Sequence, residues 1–346
     1  MASHSQKLTY LAGSPEGKIE VKTSVRVIGG IEVLVRVTHS GLCGTDFHDR
    51  TAGCGLGHEG VGIVEKTGVE VTAVKIGQRV GWGWQLSSCG HCRECVSGYR
   101  QYCPESKGQK YGELEQGAFG DYVVKHQEFV YPIPVEIESK FAGPLNCAGQ
   151  SLIDLQITVY EALHVAGSKP SDCIGVVGLG GLGHLAVLYA RAMGCDVVVF
   201  SGSESKRADA MALGATEFCL LPRDGGPIHN LKARINVLLL CGGTLPSFEV
   251  LLPLLERRAT IVPLIIQGEP MVIPSSDYHK SASSEASRQN HIDALAFAAR
   301  HGIKPWIEEF PMNAEGLSSA LTALESGEMR YRAVLSTEVE GGGHLS

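Results

Sequence analysis

Beyond Ser168 the chain runs from an apolar stretch, Ile174 to Val177, through a glycine-rich turn into a helical stretch from about Leu182 to Met193, then to a second apolar run at Val197 to Phe200. A strand, a helix and a strand in that order bury their apolar faces by laying the helix on a parallel pair. Helical periodicity recurs at Lys206 to Leu213 and Pro246 to Glu256, interleaved with strand-like runs at Ile235 to Leu240 and Thr260 to Ile265. The alternation predicts a doubly wound α/β domain with a parallel sheet.

The flanks have a different texture. Val33, Val35 and Val37 alternate with other residues, and short glycine-punctuated strands continue through Val80 and again from Tyr122 to Tyr131. The first 150 residues therefore read as mainly β. At the other end, helical patterns at His291 to Arg300 and Glu315 to Glu325 precede a terminal strand, Ala333 to Ser336. With 346 residues the chain exceeds what one hydrophobic core usually serves, so two domains are expected.

Composition narrows the function classes. A net charge of -7 disfavours a nucleic-acid backbone, which calls for a basic face. No apolar run approaches the ~18 residues of a membrane span. Met1 to Tyr10 lacks the basic and apolar blocks of a secretory signal, so a cytoplasmic address is expected. In that compartment eleven cysteines are reduced thiols, available as metal ligands or small core residues.

Cys89, Cys92, Cys95 and Cys103 form a C-x2-C-x2-C-x7-C run among Ser88, His91, Arg93 and Glu94. Four thiolates so close suit a closed tetrahedral zinc, the arrangement of a structural site. Taken alone the cluster also fits a zinc-ribbon binding module, against which stand the acidic balance and the long α/β stretch. Gly178-Leu179-Gly180-Gly181-Leu182-Gly183 matches G-x-G-x-x-G between a strand and a helix. Gly178 permits the tight turn, Gly180 lets a pyrophosphate approach, Gly183 lets the helix pack on the strand, and the amides from Gly181 and Leu182 onward hold phosphate. A third pair of segments, Gly41 to His48 and Gly57 to Gly60, brings Cys43, His58 and Glu59 into play. Cysteine, histidine and carboxylate can make an open zinc site, while the plainer reading makes Cys43 core, His58 a loop residue and Glu59 a surface charge.

The order GLCGTDFH, GHEG, the four-cysteine run, PLNCAG and GLGGLG resembles the zinc-containing medium-chain alcohol dehydrogenases, within them the cinnamyl-alcohol-dehydrogenase and yeast-type branch. The resemblance implies a GroES-like, mainly β catalytic domain (residues 1–155) with a structural zinc lobe. A Rossmann domain (156–286) follows, and a return segment (287–346) completes the first domain. It implies two zinc ions per chain, one held by the four cysteines and one catalytic. Cys43, His58 and Cys147 would bind the catalytic ion, with Glu59 as alternate ligand and Asp46 orienting a bound ring. Thr45 would touch the substrate oxygen and start a proton relay that passes the cofactor ribose to His48. Trp84 matches a pocket-wall position, and Arg332 would reach the pyrophosphate. The implied partner molecules are an alcohol or aldehyde and a nicotinamide cofactor, and the implied assembly a homodimer or homotetramer.

After Val199-Phe200 comes Ser201-Gly202-Ser203 with Lys206 close behind, where NAD-binding chains usually place a carboxylate. This is similar to the S-x-S-x-x-K segment of NADP-using cinnamyl alcohol dehydrogenases, so NADP(H) is expected over NAD(H). Glu204 is the counter-indication, and Ser203 and Glu204 also suit the start of the next helix. Three departures from the family pattern touch the pocket, the third ligand and the subunit contact: a short segment from Asp49 to Leu56, an insertion from Gln150 to Gln156, and a missing strand around Pro274 to Arg288. The short segment predicts bulky or aromatic substrates. The rival readings are reduction of a conjugated C=C or C=N bond, and a non-catalytic zinc and dinucleotide-binding protein. Thr45, His48 and Glu59 favour carbonyl chemistry.

Overall fold

The computed structural model describes residues 5–109, 113–145, 157–222, 231–243, 246–264, 279–280 and 288–338, with Gly226 and Ile228. The chain forms two compact units, Met1–Ile157 with Glu285–Ser346, and Thr158–Ser284.

The first unit carries β1 (Ser5–Gly13), β2 (Ile19–Val27), β3 (Glu32–Gly41), β4 (Glu59–Thr67), β5 (Arg79–Trp82), β6 (Gln85–Ser87), β7 (Lys107–Gly108), β8 (Tyr122–His126) and β9 (Tyr131–Pro132). The second carries β10 (Cys173–Val177), β11 (Asp196–Ser201), β12 (Glu217–Leu220), β13 (Ile235–Leu240), β14 (Leu255–Pro263) and β15 (His279–Lys280); β16 (Ile307–Pro311) and β17 (Arg332–Ser336) return to the first.

In the first unit a seven-stranded sheet runs β16-β17-β3-β4-β5-β9, with β8 also paired to β3. The alternation read at Val33, Val35 and Val37 sends these side chains into a core shared with Val80, Phe119 and Leu335. The last strand of the chain, β17, pairs antiparallel with β3, so both ends of the sequence build one sheet. The short strands expected from Tyr122 to Tyr131 are β8 and β9, separated by a 3-10 turn at Gln127–Phe129. A hairpin of β1 and β2 precedes this sheet.

The second unit is a parallel six-stranded sheet in the order β12-β11-β10-β13-β14-β15. The order in which successive strands are laid down reverses between β10 and β13, the switch point at which doubly wound sheets bind ligands. The helix Gly181–Ala192 buries Leu182, Leu185, Ala186 and Tyr189, one face at helical spacing. The helix expected over Pro246 to Glu256 is shorter, Phe248–Leu251, followed by a 3-10 turn containing Pro253 and by β14. Proline has no N–H to continue the ladder, so the chain tightens into the 3-10 turn and the helix ends there. Among the described residues no helix is long and apolar enough to cross a membrane.

Candidate metal centres and nucleotide turn

Cys43 stands at the end of β3 and at the start of the short helix Gly44–Asp49. Glu59 opens β4, and His58 immediately precedes it. Antiparallel pairing of β3 with β4 sets Gly41 opposite Glu59, which brings the two segments together. Ligand atoms of Cys43, His58 and Glu59 lie within 4.8 Å of one another, and all three residues are buried.

Asp46 ties the cluster together. Its Oδ2 accepts the Cys43 N–H at 3.0 Å, and its Oδ1 accepts the Gly57 N–H at 2.8 Å and lies 3.2 Å from His58 Nδ1. Engaging Nδ1 presents Nε2 as the ligand nitrogen, the usual role of a carboxylate behind a metal-binding imidazole. Thr45 is buried beside this group, its hydroxyl 3.7 Å from Cys43 Sγ. His48 is on the exposed side of the same helix, its ring edge-on to Phe47.

Glu59 is fully buried, and one carboxylate oxygen pairs with the buried guanidinium of Arg332, 273 residues away. The other, Oε2, has no hydrogen-bond partner among the described residues. A buried carboxylate oxygen left in that state is costly unless a cation takes it up. The donor set therefore fits a metal ion such as zinc. Gly41 makes this possible: a Cβ there would collide with the Glu59 carboxylate. Cys147 and the segment Gln150 to Gln156 lie outside the described residues.

The four-cysteine group is built differently. Sγ atoms of Cys89, Cys92, Cys95 and Cys103 lie within 4.8 Å of one another. Backbone N–H groups point at the sulfurs: Cys92 N to Cys89 Sγ at 3.3 Å, Cys95 N to Cys92 Sγ at 3.5 Å, and Cys89 N to Cys103 Sγ at 3.4 Å. The backbone N–H groups of His91 and Cys92 pull the Cys89 thiol down to about 6, toward a thiolate, while the thiols of Cys92 and Cys103 are pushed up, Cys103 chiefly by burial. Trp84 is buried nearby, its ring filling the space that a Cβ on Gly108 would need.

At the glycine turn, Gly178 has φ +93°, and a Cβ would stand 2.5 Å from the Gly242 backbone. Gly183 lies against the Gly178 carbonyl, so only a glycine lets the helix start so close to β10. Gly180 differs, because a Cβ there would meet nothing within 4 Å. The fold itself does not demand glycine at that position, and open space over the amides at the start of the helix Gly181–Ala192 fits an approaching phosphate.

After β11, Ser201 Oγ accepts the Ser203 N–H at 3.3 Å, and Lys206 Nζ donates to the Leu179 carbonyl of the glycine turn at 2.7 Å. The Glu204 carboxylate is taken up by Arg207, with one of its contacts at 3.1 Å, and that pairing holds its pKa below the usual carboxylate range. Arg207 in turn lies 4.5 Å over the Phe218 ring.

The structure thus brings Cys43, His58, Glu59, Asp46 and Thr45 together. It gathers the four cysteines separately, and it sets Lys206 against the turn containing Gly178, Gly180, Gly181, Leu182 and Gly183. The Arg332 guanidinium, assigned from sequence to a pyrophosphate, is engaged here with Glu59. Sequence reasoning missed that pairing and the role of Gly41; the only trace of either was a glycine just ahead of Leu42-Cys43. Cys54 is core. Cys173, Cys195 and Cys241 are buried, and Cys219 is half-buried at the same sheet.

The alcohol dehydrogenase GroES-like domain model matches residues 29–135, and the zinc-binding dehydrogenase model matches residues 181–286. Cinnamyl alcohol dehydrogenase 8 of Arabidopsis thaliana is 34% identical over 330 residues, 90% of this chain and 89% of that protein. The NADP-dependent alcohol dehydrogenase 6 of Saccharomyces cerevisiae is 31% identical over 324 residues, covering 88% of each. A solved cinnamyl alcohol dehydrogenase from Sorghum bicolor superposes with a TM-score of 0.85 at 30% identity, over 99% of this chain and 100% of that one.

Proposed function

The chain belongs to the zinc-binding, GroES-like alcohol dehydrogenase family, and from that premise we propose that it is an NADP(H)-linked reductase of bulky or aromatic aldehydes, running reversibly toward the alcohols. The observation that carries the cofactor choice is the contact of Lys206 Nζ with the Leu179 carbonyl, which holds an ammonium beside the phosphate-binding turn. Ser201 and Ser203 supply hydroxyls where a carboxylate would repel a 2'-phosphate. Glu204, the acid of this segment, is paired with Arg207.

Cys43, His58 and Glu59 would hold the catalytic zinc together with Cys147, and the four clustered cysteines a second, structural ion. Bound zinc supplies a Lewis acid at the substrate oxygen, and bound nicotinamide supplies or accepts the hydride. Asp46 keeps His58 in the tautomer that offers Nε2. The Thr45 hydroxyl, beside Cys43, is the proton donor or acceptor for the substrate oxygen. His48, exposed on the same helix, exchanges that proton with solvent. Arg332 compensates the Glu59 charge from behind. The short segment before His58 spends Cys54 and Leu56 on the core, which supports a wide pocket and so a bulky substrate.

Steady-state kinetics with NADPH and NADH against cinnamaldehyde and acetaldehyde test both parts. The expected result is a higher kcat/KM with NADPH and with the aromatic aldehyde, and a shift of at least about tenfold toward NADH in Ser201→Asp. A kcat/KM for NADH equal to that for NADPH in the unmodified protein removes the cofactor assignment; a preference for acetaldehyde removes the substrate class.

A further inference from the structure

Strand β2 pairs with β1 over nine residues and, among the described residues, with no other strand. The other edge of β1 is met by bridges from Tyr10 to Gly120 and from Ala12 to Gly55. No described strand or bridge meets the outer edge of β2; the helix Ala314–Ser326 lies against the strand, with Ile19 joining the core that holds Leu317 and Leu321. An open edge of this kind is a template for another strand, and natural proteins guard it with charge, proline or a bulge. Here there is no proline and no bulge, and the outward face carries Val21, Val25 and Val27 at 51%, 68% and 54% exposure.

We infer that two copies of this chain pair antiparallel through β2 about a twofold axis at Thr23, joining their β1-β2 hairpins into one four-stranded sheet. The argument is the order of residues along the strand, Ile19-Glu20-Val21-Lys22-Thr23-Ser24-Val25-Arg26-Val27. With Thr23 on the axis, Glu20 of one copy stands opposite Arg26 of the other, Val21 opposite Val25, Ile19 opposite Val27, and Lys22 opposite Ser24. Opposite charges and apolar β-branched residues facing each other across strands are the pairs that stabilise a sheet. Each occurs twice, as twofold symmetry requires.

The register is selective. A twofold axis between two edges stands perpendicular to the sheet, so faces match only if the axis moves by whole residues along the strand. Moved to Lys22, it sets Lys22 against its own copy; moved to Ser24, it sets Lys22 against Arg26. Both place like charges in direct opposition and shorten the overlap, which is complete only at Thr23. Of the two basic residues that would guard the edge, Lys22 is balanced on its own strand by Glu20, with the charged atoms 3.7 Å apart. Arg26, paired within its own copy to Glu113, remains 23% exposed in its side chain and can be shared with the incoming Glu20. A single strand pair is a small contact, so the association is concentration-dependent and not obligate.

The test uses the full-length protein. Sedimentation velocity over a concentration series should give a mass twofold higher at the top of the series than for Val25→Lys or Glu20→Arg, with dehydrogenase activity and thermal midpoint unchanged in both variants. Two cysteine variants fix the register. Thr23→Cys under mild oxidation should yield a peptide cross-linked at position 23 to its own copy, since directly opposed strand residues lie within disulfide reach at about 5 Å. Val27→Cys should not cross-link to itself. A mass that is the same for the unmodified protein, Val25→Lys and Glu20→Arg overturns the pairing, as does another protein's strand on this edge without a change in self-association. Equal self-cross-linking at positions 23 and 27 overturns the register.

Discussion

The two candidate metal sites of the first unit reach a similar donor density by opposite routes. The four cysteines come from one short stretch and are partly exposed, and backbone N–H groups of the same loop point at their sulfurs. The Cys43, His58 and Glu59 cluster is fully buried, gathered from β3 and β4, and charge-balanced by Arg332 from β17. A loop that closes on its own ligands contributes to folding and leaves no open position. A buried cluster imposed by a sheet that would form anyway can keep an open side for chemistry. The two should therefore fail differently.

The sharpest break is a matched pair of substitutions. Cys43→Ser or His58→Ala should reduce turnover by at least about a thousandfold, roughly 4 kcal/mol, with little change in thermal midpoint. Cys92→Ser should lower the midpoint by on the order of 10 °C while folded molecules retain most of their turnover. Zinc analysis should give two ions in the unmodified protein and one in each variant. Interchanged outcomes, with Cys92→Ser inactive but stable, would erase the distinction.

A second substitution asks whether the buried cluster depends on its distant partner. Arg332→Leu leaves the Glu59 charge uncompensated in the interior, at a cost of about 3–5 kcal/mol in denaturant unfolding of metal-stripped protein. Adding Glu59→Gln should recover a good part of it. A loss no larger than that of a surface change would mean that Glu59 does not rely on Arg332.

A third substitution isolates burial from pairing. Lys125 is fully buried in β8, and desolvation lowers its pKa from 10.5 to about 7, with Glu113 opposing that shift and Arg26 adding to it. Between those values the unfolded chain binds a proton that the folded chain does not, so stability rises with pH across the window, by at most about 1.4 kcal/mol per unit. Lys125→Met should remove that rise, being most stabilising at or below pH 7 and neutral near pH 10.5. Parallel melting curves of the two proteins from pH 6 to 10 would show that burial alone sets no penalty here.

Much of this was legible in the residue order because it is local. The run Ile235 to Leu240 is strand β13, residue for residue. The glycines from Gly178 to Gly183 mark a turn between β10 and a helix, and the four cysteines are close in space because they are close in sequence. Such features depend on short-range sterics and on the spacing of apolar residues, which a sequence states outright. The helix that stops at Leu251 was overestimated because apolar periodicity outran the effect of Pro253.

What the tertiary structure alone decided are the meetings across the sheet. Val334 of β17 stands opposite Gly41 of β3, and Gly41 stands opposite Glu59 of β4. Side chains on such a row share a face, and the missing side chain of Gly41 leaves the space in which the Glu59 carboxylate lies. Arg332, two residues before Val334 and so on the same face, meets it there. Neither the glycine, the acid nor the arginine declares this alone, because strand register joins residues by their place in a ladder and not by their distance along the chain.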